Sequence, residues 1–243
     1  MRICLAGTGT SESLIKENTP PFVLESFYYF REWQKYLVKN CEFFVLDSGA
    51  FTFMNNTKIN INWKEYVDKY AEFIRENDIK YFFELDIDVI IGYEEVKKLT
   101  KYLEEKAGRK CIPVWHKSRG LDEWYRLVKE YDYVAIGGIV TNEIPRQEYK
   151  YFPQLIKIAH QNNCKVHGLG FTSMKWLKKC HFDSVDSTSW LSGGRFGQLH
   201  IFRNGNMKQV SYKDKRAINR NKEIDSFNLK EWIKFQNYAN KCL

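Results

Sequence analysis

Asp183-Ser184-Val185-Asp186, followed by Gly193-Gly194-Arg195-Phe196-Gly197, sets acids at the end of a β-rich run directly before a glycine-rich, basic loop. A carboxylate so placed can act as a nucleophile. A second acid, Asp47 in Leu46-Asp47-Ser48-Gly49-Ala50-Phe51, closes another such run. Two acids from different strands can divide labour at a glycosidic carbon, one ionised and attacking, the other tuned for proton transfer. Phe51, Trp115 and His167 offer flat faces for a planar base, and Gly137 and Gly138 in Ala135-Ile136-Gly137-Gly138-Ile139 let backbone amides reach its edge. Plainer explanations exist for each alone: strand-ending Asp caps helices, glycine turns the chain, and Trp115 suits an aromatic core.

These residues need a frame that brings them to one place. β-rich runs at Arg2 to Ala6, Phe43 to Leu46, Tyr81 to Leu85, Cys111 to Trp115, Tyr133 to Ile136, Lys165 to Leu169, Phe182 to Val185 and Leu199 to Phe202 give eight candidate strands. Between them, Trp63 to Asn77, Tyr93 to Lys106, Leu121 to Tyr131 and Tyr149 to Asn162 carry apolar residues at three-to-four spacing, the mark of surface-packed helices. Strand and helix in alternation mean a parallel sheet, and eight such units predict an α/β fold, a (β/α)8 TIM barrel. The stretch between Asp186 and Leu199 is weakly helical, so the last unit is irregular. A polar, basic stretch from Asn204 to Asp225 precedes a final helix, Asn228 to Asn240, expected beside the barrel. In such a barrel Asp47, Asp86, Asp88, Trp115, His116, Gly137, Gly138, His167, Gly170 and Asp186 all fall at C-terminal strand ends, the face that carries barrel active sites. Like charges crowded in one mouth are costly and persist where a function uses them.

With 243 residues, 44% of them hydrophobic, the chain can bury one large core and is expected to form a single domain over 1–243. It has no apolar run long enough for a membrane span and no secretory leader pattern, so a cytoplasmic location is expected, with no membrane partner. Six cysteines without a Cys-x-x-Cys pair read as reduced thiols. Cys164-x-x-His167 with Cys180-His181 has spacings zinc could use, but lone Cys and His are common on core elements, and neither a metal nor another cofactor is expected. The net charge of +8 is concentrated at Lys175 to Lys179 and Lys208 to Lys222, which suits a polyanionic partner as well as a solvated basic face.

Taken in order, Asp47-Ser48-Gly49-Ala50-Phe51, Phe83-Glu84-Leu85-Asp86, Ala135-Ile136-Gly137-Gly138-Ile139 with Glu143, Gly168-Leu169-Gly170, and Asp183-Ser184-Val185-Asp186 before Gly194-Arg195-Phe196-Gly197-Gln198 resemble the catalytic core of the tRNA-guanine transglycosylase superfamily. That family exchanges guanine for a 7-deazaguanine on a (β/α)8 barrel, and the resemblance spans nearly the whole chain. It implies that Asp186 is the nucleophile attacking the ribose C1′ and that Asp47 is the general acid/base. It places Asp86 at the ring and amino nitrogens of the purine, Gly138 and Ile139 at its carbonyl, and Phe51 with His167 on its faces. Arg195 would meet the nucleic-acid backbone, with Lys208, Lys213, Lys215, Arg216 and Arg220 as further phosphate contacts.

The chain also departs from the family pattern. The zinc subdomain that follows the barrel is missing, Trp115 or His116 stands where a glutamine is expected, and Ala50 replaces a glycine. These departures resemble the zinc-free, DpdA-like phage and bacterial branch that places 7-deazaguanines in DNA. The resemblance therefore implies a DNA guanine transglycosylase using a preQ0-type base, in the host cytoplasm if phage-encoded. The alternatives are tRNA as the substrate, hydrolytic removal of the base, and a non-catalytic nucleic-acid-binding barrel.

Overall fold

The computed structural model describes residues 1–54, 61–193, 197–211 and 221–243. Eight parallel strands run β1 (Arg2–Ala6), β2 (Phe22–Ser26), β3 (Phe43–Asp47), β4 (Tyr81–Phe82), β5 (Val114–Trp115), β6 (Tyr133–Ile136), β7 (Lys165–Gly168) and β8 (Ser184–Ser187). Each pairs with its sequence neighbours except β4 with β5, and β8 pairs with β1 with Cys4 opposite Asp186. Between β4 and β5 the ring closes through a parallel bridge of Phe83 to Ile112, where Glu84 N–H donates to Ile112 O at 3.1 Å and Ile112 N–H to Phe82 O at 2.7 Å. The result is a (β/α)8 TIM barrel.

The intervening helices are α1 (Glu12–Glu17), α2 (Lys35–Asn40), α3 (Ala50–Met54), α4 (Trp63–Glu76), α5 (Asp88–Ile91), α6 (Tyr93–Ala107), α7 (Gly120–Glu130), α8 (Phe152–Gln161) and α9 (Met174–Cys180). In α4, Asn62 caps the N-terminus by accepting from Glu65 N–H at 3.2 Å, and Val67, Tyr70, Ala71 and Ile74 form its buried stripe. Helix α6 buries Val96, Thr100, Leu103 and Ala107 and stops at Gly108, which takes the left-handed conformation at φ 72°.

Within each strand, alternate residues face the barrel interior and the helix layer. Cys4, Ala6, Phe22, Leu24, Phe43, Val45, Phe83, Ile112, Val114, Tyr133 and Ala135 pack as one interior cluster, separate from the larger core between sheet and helices. The same alternation carries Asp47, His116, Gly137 and Asp186 to the C-terminal mouth.

The expected number of barrel strands is correct, but one member differs. Phe22–Ser26 is a barrel strand that the sequence reading passes over, while Leu199 to Phe202 lies outside the barrel. That segment belongs to β9 (Gln198–Arg203), which forms an antiparallel hairpin with β10 (Asn206–Ser211). Its free edge is covered by the last helix, α10 (Asn221–Cys242): Asn228 Oδ1 accepts from His200 N–H at 2.8 Å, and Glu231 Oε2 from Phe202 N–H at 2.7 Å. Helix α10 starts seven residues before the expected Asn228 and seats Leu229, Trp232, Phe235 and Ala239 in the core. Gln236 from the same helix donates to Ile3 O and Phe22 O, each at 2.7 Å. No helix among the described residues is long and apolar enough to cross a membrane.

Candidate active site

The mouth of the barrel holds a cavity of about 1070 Å³, lined among others by Asp47, Phe51, Asp86, His116, Gly138 and Asp186. Asp47 ends β3 on the inward register. Its Oδ2 accepts from Gly49 N–H at 3.1 Å, and Gly49 must be glycine: its φ is +84°, and a Cβ there would lie 2.6 Å from Tyr28 Cβ. Burial pushes the Asp47 carboxyl up to about 7, against the Gly49 hydrogen bond and with the help of the Asp186 and Asp86 charges. At neutral pH a large share of Asp47 is therefore a protonated acid in the cavity wall.

Three strands round the ring from β3, Asp186 on β8 accepts two donors on one oxygen: Gly170 N–H at 2.7 Å and His167 Nε2 at 3.3 Å, both to Oδ1. Gly170 is thus an anchor of Asp186, supplied by the turn after β7.

A row of alternating charge lines the wall between β4, β5 and β6. His116 donates Nε2–H to Asp86 Oδ2 at 2.8 Å and Nδ1–H to Glu143 Oε2 at 2.8 Å. Burial works against its charge, yet these two carboxylates hold the imidazolium up to about 9. Glu143 sits below the usual carboxylate range: burial opposes this, but Ser118 N–H, donating at 2.8 Å, and His116 outweigh it. Gly137 permits the arrangement, because a Cβ on it would lie 2.8 Å from the His116 ring.

Arg119 anchors the other end of the row. Its guanidinium donates to Glu84 Oε1 at 2.9 Å, to Asp86 Oδ1 at 3.2 Å and to Asp88 Oδ2 at 3.0 Å, reaches Val114 O as well, and lies 4.2 Å from the Tyr93 ring centroid. Burial raises the Glu84 carboxyl, and Arg119 opposes the rise. Among the described residues, Asp86, Asp88 and His116 bring ligand atoms close enough to share a metal ion. In this arrangement the three residues are already engaged: Arg119 is bonded to both carboxylates, and His116 to Asp86.

Two residues expected to hold a base stand elsewhere. Trp115 faces outward, since its strand neighbours Val114 and His116 take the inward positions; it packs on Trp124 with ring centroids 5.4 Å apart and donates Nε1–H to Gly120 O at 2.8 Å. His116 is therefore the one of the pair that reaches the cavity. His167 does point inward, but two residues below the end of the mouth: it is wholly buried, opposite Ser184 and 5.1 Å from the Phe83 ring. It supports Asp186 and offers no face to a ligand. Phe51 keeps its expected place on the wall at 52% exposure, and Gly138 and Ile139 line the cavity with it.

Of the expected phosphate contacts, Lys208 is exposed on β10, while Arg195, Lys213, Lys215, Arg216 and Arg220 lie outside the described residues. Arg119, Glu84 and Ser184 carry much of the site, and sequence reasoning gives none of them a role. A charged Glu84 inside the apolar run Tyr81 to Leu85 is the one local signal that a buried cation had to be near.

Asp47→Asn is expected to stabilise the fold in a pH-dependent way. An acid whose folded pKa lies above its unfolded one favours folding below the unfolded value, near 3.8, and loses that contribution as pH rises to about 7. The asparagine keeps an acceptor for Gly49 but never ionises. Its advantage should be near zero at pH 4 and grow to at most about 4 kcal/mol above pH 7. Thermal denaturation of both proteins across that range checks it; equal gaps at pH 4 and pH 8 would contradict a buried, protonated Asp47.

No family model matches the chain, and no curated protein matches it. Among solved structures, a protein from Coccidioides immitis, provisionally described as a fructose-1,6-biphosphate aldolase, superposes with a TM-score of 0.59 over 99% of this chain and 92% of its own, at 10% sequence identity. A likeness at that identity is one of fold, and fold alone does not carry function.

Proposed function

We propose that the chain is a guanine transglycosylase that exchanges guanine in DNA for a 7-deazaguanine through a glycosyl intermediate on Asp186. The observation that carries this reading is the pairing in one cavity of Asp47, a buried carboxyl held up to about 7, with Asp186, whose Oδ1 is fixed by Gly170 N–H. The two carboxyls differ in their hydrogen-bond donors, and unlike surroundings are how one fold separates a proton donor from a nucleophile.

In the first half-reaction an oxygen of Asp186 bonds to the sugar C1′ as the C1′–N9 bond breaks. The electron pair leaves with N9, and the departing guanine takes the proton of Asp47. In the second, the incoming 7-deazaguanine gives its N9 proton to the Asp47 carboxylate, and N9 attacks C1′ to release Asp186. Atoms and charge balance with no added cofactor.

Asp86 faces the cavity with its orientation set by His116 and Arg119, suited to accept from the donor edge of a guanine-type base. Gly138 and Ile139 bring backbone to the same wall, and Phe51 supplies a flat face at the rim. The cavity is larger than one base requires, leaving space for the sugar and phosphate of a flipped-out nucleotide. DNA is preferred to tRNA on the resemblance of the barrel sequence to the DNA-modifying branch.

The test is incorporation of an isotopically labelled 7-deazaguanine, in its nitrile or aminomethyl form, into guanine-containing DNA and into tRNA, followed by nucleoside mass spectrometry. Label in DNA alone is the expected result. Label in tRNA alone would move the activity to tRNA. Free guanine released without label uptake would mean hydrolysis, and no product with nucleic acid still bound would leave a binding barrel.

A further inference from the structure

Beneath Asp186 lies a file of buried polar side chains that neither proton transfer nor base recognition uses. Tyr133 on β6, Ser184 on β8 and His167 on β7 are inward residues of adjacent strands, with exposures of 7%, 0% and 0%. The Tyr133 hydroxyl meets Ser184 Oγ, Ser184 Oγ meets His167 Nδ1, and His167 Nε2 meets Asp186 Oδ1.

Counting protons gives the file a direction. Among the described residues, the Tyr133 hydroxyl has Ser184 as its hydrogen-bond partner, so the phenol proton goes to Ser184 Oγ. Burial pushes the titration of this phenol above the usual range, which keeps the proton in place. Ser184 then has one proton to give, to Nδ1 of His167. With Nδ1 accepting, the ring proton sits on Nε2 and is donated to Asp186. The reverse order would leave a buried phenol O–H without an acceptor, a loss on the order of 1–3 kcal/mol.

We propose that His167 is a positioning residue for Asp186: oriented from below by Ser184 and Tyr133, it saturates Oδ1 together with Gly170 N–H and leaves Oδ2 as the oxygen that attacks the sugar carbon. This rests on the transglycosylase reading for the attack itself; the direction of the file does not. Among the described residues Oδ2 of Asp186 has no hydrogen-bond partner, whereas Oδ1 has two. A carboxylate free to rotate would present either oxygen in several directions, and misplacement of a nucleophile by about 1 Å costs about 100-fold in rate.

Two measurements test the proposal. Long-range ¹⁵N NMR of the His167 ring should show the Nε2–H tautomer in the wild-type protein, disturbed in Ser184→Ala, which removes the donor to Nδ1. An Nδ1–H tautomer would overturn the proposal without any substrate being involved. In single-turnover base exchange, His167→Leu should be about 100-fold slower at unchanged guanine KM. His167→Gln, whose side-chain amide can reach the position of Nε2, should recover most of that loss. A His167→Leu protein exchanging at the wild-type rate would overturn the proposal, as would a Gln variant no better than Leu. Where the buried leucine prevents folding, Ser184→Ala serves in its place, with a smaller slowing expected and an unchanged rate counting against the proposal. A wild-type protein that exchanges no base would overturn the enzymatic reading and with it the attacking role of Oδ2, while the ring tautomer would still decide whether the file exists.

Discussion

Asp186→Asn should lose base exchange by about 10⁴-fold or more while folding and binding nucleic acid as the wild type does. Asparagine is nearly the same shape, and its oxygen can still accept from Gly170 N–H and His167 Nε2, which hold Oδ1 at 2.7 and 3.3 Å. The change falls on the other atom. Replacing Oδ2 with an amide nitrogen removes the oxygen proposed to bond to C1′, and a neutral amide would not support a developing positive charge on the sugar. Because the side chain is a mouth residue rather than part of the core, the stability change should stay within about 1 kcal/mol. Exchange assays, thermal denaturation and DNA binding measured on one preparation separate these effects. Unfolding, or loss of DNA binding with exchange, would count against Asp186 as the nucleophile.

Arg119→Met should be the most destabilising single change at the site, by about 3–5 kcal/mol, which for a chain of this size lowers the Tm by roughly 10 °C. The guanidinium is 2% exposed and satisfies Glu84, Asp86 and Asp88 at once; Glu84 is itself 4% exposed. Methionine fills the space of the stem but removes the counter-charge of buried Glu84, which keeps only the neutral donors Thr100 Oγ1 and Val114 N–H, and strips Asp86 and Asp88 of a guanidinium bond each. The sign of the pH dependence identifies the cause. Burial already raises the Glu84 carboxyl, and removing Arg119 raises it further. An acid raised on folding binds a proton in the native state that the unfolded state has released, so the variant gains stability as pH falls. Its Tm deficit should therefore narrow from pH 8 to pH 5. A constant deficit would point to lost packing, and a deficit below about 1 kcal/mol would mean that the carboxylates do not depend on Arg119.

How far the sequence leads to this site depends on which physical rule governs each residue. Asp47, Asp86 and Asp186 are legible because each ends a β-rich run, and a barrel turns all such ends to one face. Trp115 and His116 show the limit of that rule: adjacent residues on a strand face opposite ways, so one of the pair had to leave the mouth, and the inward register of Ile112 and Val114 decides which. His167 follows the right parity but the wrong depth, a matter of barrel stagger that strand limits alone do not reveal. Strand β2 was obscured by Glu25, an acid in an otherwise apolar run that faces the helix layer and accepts from Thr8 N–H at 2.8 Å. The segment Leu199 to Phe202 has the composition of a barrel strand, and what keeps it outside is the bonding of its edge to Asn228 and Glu231, some 30 residues away. Arg119 was illegible for a related reason: only the folded barrel brings it to three acids.

The most direct test of the central claim is peptide mapping by mass spectrometry after acid quench of the protein reacting with a guanine-containing oligonucleotide in the absence of incoming base. The expected result is a deoxyribosyl adduct on the peptide bearing Asp186, absent in Asp186→Asn and discharged by added 7-deazaguanine with its incorporation into the strand. Base exchange with no adduct, or an adduct on another residue, would contradict it.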